Sequence, residues 1–138
     1  MLHWGASEKI QDEELECDRY ALNMMIEKIS EYAAGSGYPA RGVLAKRLLG
    51  ILFAKLAILT ITPEHKWSDA TDHPSVKDRI RRVLEAVVNL LPDWFWPTSA
   101  SLLAAFARYY GLIDRPIGFG SSRELAFILC DKFDARQK

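Results

Sequence analysis

The stretch Gln11–Ala34, QDEELECDRYALNMMIEKISEYAA, decides the fold class. At 100° per residue, Leu15, Leu22, Met25, Ile26, Ile29 and Ala33 fall on one stripe. Glu13, Glu16, Asn23, Glu27 and Glu31 fall opposite, as the solvent side of a helix should. Gly35-Ser36-Gly37 ends the pattern. Asp18 breaks the rule, because it lies inside the apolar stripe. Glu14 lies at its edge, one turn earlier. Two carboxylates at i and i+4 repel, and burial raises the cost unless a cation or donor answers them. A metal ion, Arg79 or a histidine could do so, and an internal salt bridge to an arginine is the plainest solution.

Working outward, the same helical period recurs and strand alternation does not. Pro39 suits the first turn of a second helix running to about Leu59. Thr62-Pro63 breaks it, and 64–72 reads as a polar loop. Asp72-His73-Pro74 opens a third helix, with Asp72 or His73 near the N-cap and Pro74 near the first helical position. It ends at Leu91-Pro92. Its apolar stripe is Val76, Ile80, Val83, Leu84, Val87 and Leu91, with Arg79 on the border. An aromatic linker, Asp93-Trp94-Phe95-Trp96-Pro97, leads to a fourth helix from Ser99 to Tyr110, stopped by Gly111. Ser121-Ser122-Arg123-Glu124 reads as a capping box for a short last helix. The expectation is an all-α chain of about five helices in a single domain spanning 1–138.

Composition bounds the function. The 138 residues are 49% hydrophobic, so a buried core needs no disulfide or metal to form. Eighteen Lys plus Arg balance eighteen Asp plus Glu, which gives no general case for nucleic acid or an anionic membrane. Lys77, Arg79, Arg81 and Arg82 surround their helix rather than sharing a face, and Asp78 and Glu85 dilute them. No nucleic-acid partner is expected. Cys17 and Cys130 have neither disulfide-framework nor zinc-knuckle spacing, so a reducing, cytoplasmic setting is the simplest reading. Met1–Gln11 lacks an apolar signal core. The longest apolar run, Leu48–Ile61, is interrupted by Lys55 and reads as a buried helix rather than a membrane span.

Two strings carry chemistry. Glu14-x-x-x-Asp18 continues as Arg19-Tyr20-Ala21-Leu22, and His73-Pro74 precedes Arg79-Ile80 at fixed spacing. Together they resemble the gluzincin zinc endopeptidases, in the class of CAAX-prenyl endopeptidases and the heat-shock membrane protease. The phage-exclusion protease Lit is a more distant likeness. In that class a helix bears Glu-x-x-x-Asp, and His-Pro-x-x-x-x-Arg follows later. Cys17 stands where the class usually has alanine. The resemblance implies that Glu14 is the third zinc ligand and that Asp18 orients a ligand histidine. It implies that His73 faces the substrate's developing oxyanion and that Arg79 holds the acidic residues.

His-Glu-x-x-His, which supplies two zinc ligands and the general base, does not occur in these 138 residues. The chain is therefore expected to bind zinc only if that segment is supplied, and not to hydrolyse peptides alone. The expectation is a C-terminal part of a longer metallopeptidase-like protein, or a chain whose start lies further upstream. The missing catalytic segment or a homodimer through the first helix would then cover the apolar stripe. The alternative is a non-enzymatic helical interaction module of phage or bacterial origin. Its candidate surface is the aromatic group Trp94, Phe95, Trp96, Tyr109 and Tyr110.

Overall fold

Five helices form, and the described residues contain no strand. The computed structural model describes residues 6–67 and 74–133. The helices are α1 (Ala6–Ser36), α2 (Ala40–Ile61), α3 (Val76–Val87), α4 (Phe95–Tyr109) and α5 (Ser122–Cys130). Short 3-10 turns cover Glu64–Lys66 and Val88–Leu90.

Glycine stops two of the helices. Gly37 has φ +73° and donates to the Ala33 carbonyl, so it closes α1 in the left-handed conformation. The chain stays helical through Gly35 and Ser36, because only the positive φ at Gly37 redirects it. After α4, Gly111 has φ +64° and donates to Arg108, while Leu112 donates to Ala107. That pair of bonds is a Schellman motif.

Four helix starts differ from the sequence reading. Pro39 is the N-cap of α2, which begins at Ala40, rather than part of its first turn. α1 begins at Ala6, before Gln11. α3 is capped by Ser75, whose hydroxyl accepts from Asp78 N and donates to the Asp78 carboxylate. Pro74 therefore precedes the cap instead of sitting in the first turn, and Asp72 and His73 lie outside the described residues. α4 starts at Phe95 rather than Ser99. Pro97 falls in its first turn, where an absent N–H costs nothing. At α5 the Ser121 hydroxyl accepts from Glu124 N as expected, but the Glu124 carboxylate takes the Gly120 N–H rather than that of Ser121.

Hydrogen bonds fix the helix order in space. Lys55, late in α2, reaches Asp18, early in α1, while Arg47 nearer the start of α2 reaches the Met25 carbonyl. The two helices are antiparallel. Arg41 at the start of α2 donates to the Leu90 and Leu91 carbonyls beyond α3, so α3 also runs against α2. α5 packs on α3 through Arg81–Asp131 and on α4 through Trp96 against Phe127. The core joins Leu48, Leu52, Leu56 and Leu59 of α2 to Ile80, Leu84, Phe95, Leu103 and Leu129. Trp67 is buried and meets Tyr110 edge-on at 4.8 Å between ring centres.

The apolar stripe of α1 is covered by α2 and α3. Leu22, Ile29 and Ala33 are buried, while Leu15, Met25 and Ile26 remain half-buried. The expected aromatic patch divides. Phe95 and Trp96 belong to the core, Tyr110 packs against Trp67, and Trp94 and Tyr109 stay exposed. Among the described residues, no helix is long and apolar enough to cross a membrane.

Candidate carboxylate site on three helices

Asp18 is the hub. One turn of α1 separates it from Glu14, so both carboxylates point along one side of the helix. Arg79 sits in the first turns of α3, which Ser75 caps, and its own N–H bonds the Ser75 carbonyl. Its guanidinium grips Asp18 side-on. Nε donates to Oδ2 at 2.6 Å and Nη2 to Oδ1 at 2.7 Å. The remaining nitrogen, Nη1, reaches Glu14 Oε2 at 3.4 Å. Planar, two-pronged pairing of this kind is what arginine supplies and lysine cannot.

A third helix completes the cluster. Lys55 Nζ donates to Asp18 Oδ1 at 2.7 Å. Lys55 is buried on the inner face of α2, among Leu52, Leu56 and Leu59. Sequence reasoning treated it only as an interruption of an apolar run. The usable signal was its position: a lysine on the buried face of a helix needs a carboxylate, and Asp18 needed a cation.

The charges of Glu14, Asp18, Lys55 and Arg79 balance. Burial alone would raise the Asp18 carboxyl. The hydrogen bonds from Arg79 and Lys55, with their charges, outweigh it and hold Asp18 below its ordinary range. The Asp18 hydrogen bond correspondingly raises Arg79, against the opposing effect of burial, and Glu14 adds to the rise.

The donor chemistry sets limits. A carboxylate offers about four lone pairs, and Asp18 uses three of them on Arg79 and Lys55. It has room for one further donor and is not disposed to ligate a metal. Glu14, which takes the longer 3.4 Å contact from Arg79, is the carboxylate of the cluster better able to accept a cation. No group of three or more His, Cys, Asp or Glu suited to a metal occurs among the described residues. His73 lies outside the described residues, so its place in the site is not described.

Beside the cluster, between α1 and α3, lies a cleft of about 280 Å³. Leu15, Leu22, Val83 and Ala86 form its apolar walls, and Asp18 and Arg79 form its charged end. That volume is at the low end for a small-molecule pocket and suits one or two side chains.

Comparison with known families bears on these helices. A family model described as Peptidase U49 matches residues 2–96. The chain belongs to the Peptidase U49 family. The match spans α1, α2 and α3 and ends in the first turn of α4. All four members of the ionic cluster therefore fall in the Peptidase U49 region, while α5 lies beyond it. No curated protein and no solved structure matches the chain.

Proposed function

We propose that this chain is the helical region of a zinc-metallopeptidase-like protein, holding one acidic metal ligand in place while other residues supply the rest. Glu14 is the ligand. Arg79 fixes its position through the shared pairing with Asp18, and Lys55 ties the pair to α2. The resemblance gives His73, before α3 in sequence, the role of answering the substrate's oxyanion. One observation carries the reading: Arg79 of α3 contacts both Glu14 and Asp18, although 61 residues separate it from Asp18. Residues of the two strings thus meet at hydrogen-bond distance.

Zinc belongs to this reading only with a His-Glu-x-x-His segment, which would bring two histidines and the general base. The 138-residue chain by itself hydrolyses no peptide, with or without added zinc. Its purified form should leave casein and a mixed peptide library intact. Chelator-sensitive cleavage would sink the claim.

The positive test is in the coding DNA. An in-frame His-Glu-x-x-His upstream, translated with this region, should give a protein that retains zinc through dialysis. Glu14→Gln in that longer protein should lower the retained zinc sharply, because loss of a charged ligand leaves a three-ligand site short. A functional ribosome-binding site directly before Met1, with no such segment upstream, would leave the second reading. That reading is a non-enzymatic interaction module, and the exposed Trp94 and Tyr109 favour it.

A further inference from the structure

The balanced net charge conceals a segregation by helix. α1 carries eight carboxylates against three cations. Neither α2 nor α4 contains a single Asp or Glu. The cations of these two helices are Arg41, Lys46, Arg47 and Arg108, besides the buried Lys55.

α2 and α4 lie side by side and point the same way. At one end Trp94 shares a surface depression with Tyr38 and Lys46. At the other, Thr60 shares one with Tyr109 and Phe106. Midway, Phe53 meets Phe106 edge-on at 6.4 Å between ring centres. Their outer sides therefore form one continuous face. Helical spacing lines up Lys46, Gly50, Phe53, Ala57 and Ile61 along it.

Large apolar side chains protrude there. Phe53 is 56% exposed, and Ile61 and Tyr109 are each 82% exposed. Aromatic residues stand at both ends, with Tyr38 and Trp94 at one and Tyr109 at the other. Exposed Lys46 and Arg108 border the face, and neither helix contributes a carboxylate to it; the nearest acids in sequence, Asp93 and Glu64, lie in the flanking turns. Tyrosine and tryptophan favour the headgroup level of a bilayer, aliphatic and phenyl groups enter the acyl boundary, and cations pair with anionic lipid. A second copy docked face to face would bring Lys46 and Arg108 of both copies together, with no carboxylate from α2 or α4 of either copy to answer them.

We propose that the outer face of α2 and α4 is a docking surface for an anionic phospholipid bilayer, on which the protein lies without crossing it. The surface is separate from the carboxylate cluster and does not depend on peptidase chemistry. The test is flotation of the 138-residue chain with vesicles of phosphatidylcholine, with and without phosphatidylglycerol. The chain should float with the anionic vesicles and stay behind with the neutral ones. Ile61→Asp with Tyr109→Asp should abolish flotation, since both side chains are largely exposed and the fold should survive; far-UV circular dichroism checks this. Lys46→Gln and Arg108→Gln should each weaken binding roughly fivefold and reduce its salt sensitivity. Tyr20→Asp, an exposed position on acidic α1, should float like the parent. Equal binding to neutral vesicles, no binding to either, or undiminished flotation of the double aspartate variant would overturn the proposal. So would a concentration-dependent mass that the double variant abolishes without any vesicle binding, because the occupant would then be a second copy.

Discussion

Replacing Asp18 with asparagine tests whether the ionic cluster joins the three helices. The change keeps size and shape but removes the charge that answers Arg79 and Lys55. Side chains of all three residues are at least four-fifths shielded from water, with exposures of 18%, 19% and 11% for Asp18, Arg79 and Lys55. Stranding a buried charge by removing its partner costs about 3–5 kcal/mol. The asparagine oxygen keeps one acceptor and some water reaches the site, so about 2–3 kcal/mol is expected here. For a domain of this size that is a fall in Tm of about 8–12 °C. Urea unfolding followed by circular dichroism at neutral pH would measure it. The pH dependence supplies an independent check. Asp18 titrates below its ordinary 3.8 in the folded protein, so its contribution is complete above that value and is lost as pH falls through the depressed one. The gap between parent and Asp18→Asn should therefore close in acid. A double change, Asp18→Asn with Arg79→Met, should recover part of the loss, because less charge is left unpaired. If Asp18→Asn unfolds within about 0.5 kcal/mol of the parent, the size of an ordinary surface change, the cluster is not holding the helices together.

Three further outcomes follow from local geometry. Cys17 is exposed, while burial pushes the Cys130 thiol up to about 12; a disulfide reagent at neutral pH should titrate one thiol in the native protein and the second only after unfolding. Ser75→Ala removes the cap of α3 and should cost about 1 kcal/mol in urea unfolding, and Ser75→Asp should cost less. Gly37→Ala meets no atom within 4 Å, so its cost should be the left-handed backbone alone, about 1–2 kcal/mol, with no change in the far-UV spectrum.

Helix content and order were readable because the amphipathic signal is strong where one face is buried. Stripes on α1 and α3 predicted Leu22, Ile29, Ile80, Leu84 and Val87 as core, and each is buried. Boundaries were harder, and each miss has a local cause. Serine and glycine both occur in turns, so Gly35-Ser36-Gly37 reads as the stop, yet of these only Gly37 adopts a positive φ. The sequence offers Asp72 or His73 as the cap of α3, whereas the hydroxyl of Ser75 pairs with Asp78 three residues on. Pro97 suggested a linker, but a proline in the first turn is compatible with a helix that has already begun.

The site was half legible for a different reason. Asp18 violates the helical pattern, and a violation within one helix can be seen without knowing its neighbours. Lys55 violates the pattern of α2 in the same way, but pairing the two requires knowing that α1 and α2 run antiparallel with these positions level. Each helix shows only that it carries an unpaired charge. Arg79 could be offered to Asp18 in advance because it borders the apolar stripe of α3 and because the resemblance places both in one site; Lys55 belongs to neither string. The outer face of α2 and α4 was invisible for the converse reason. Net charge sums over the chain and gives zero, while what a partner meets is the charge of a face. The packing that buries Lys55 against Asp18 turns the remaining side of α2, beside α4, outward as a surface to which neither helix contributes a carboxylate.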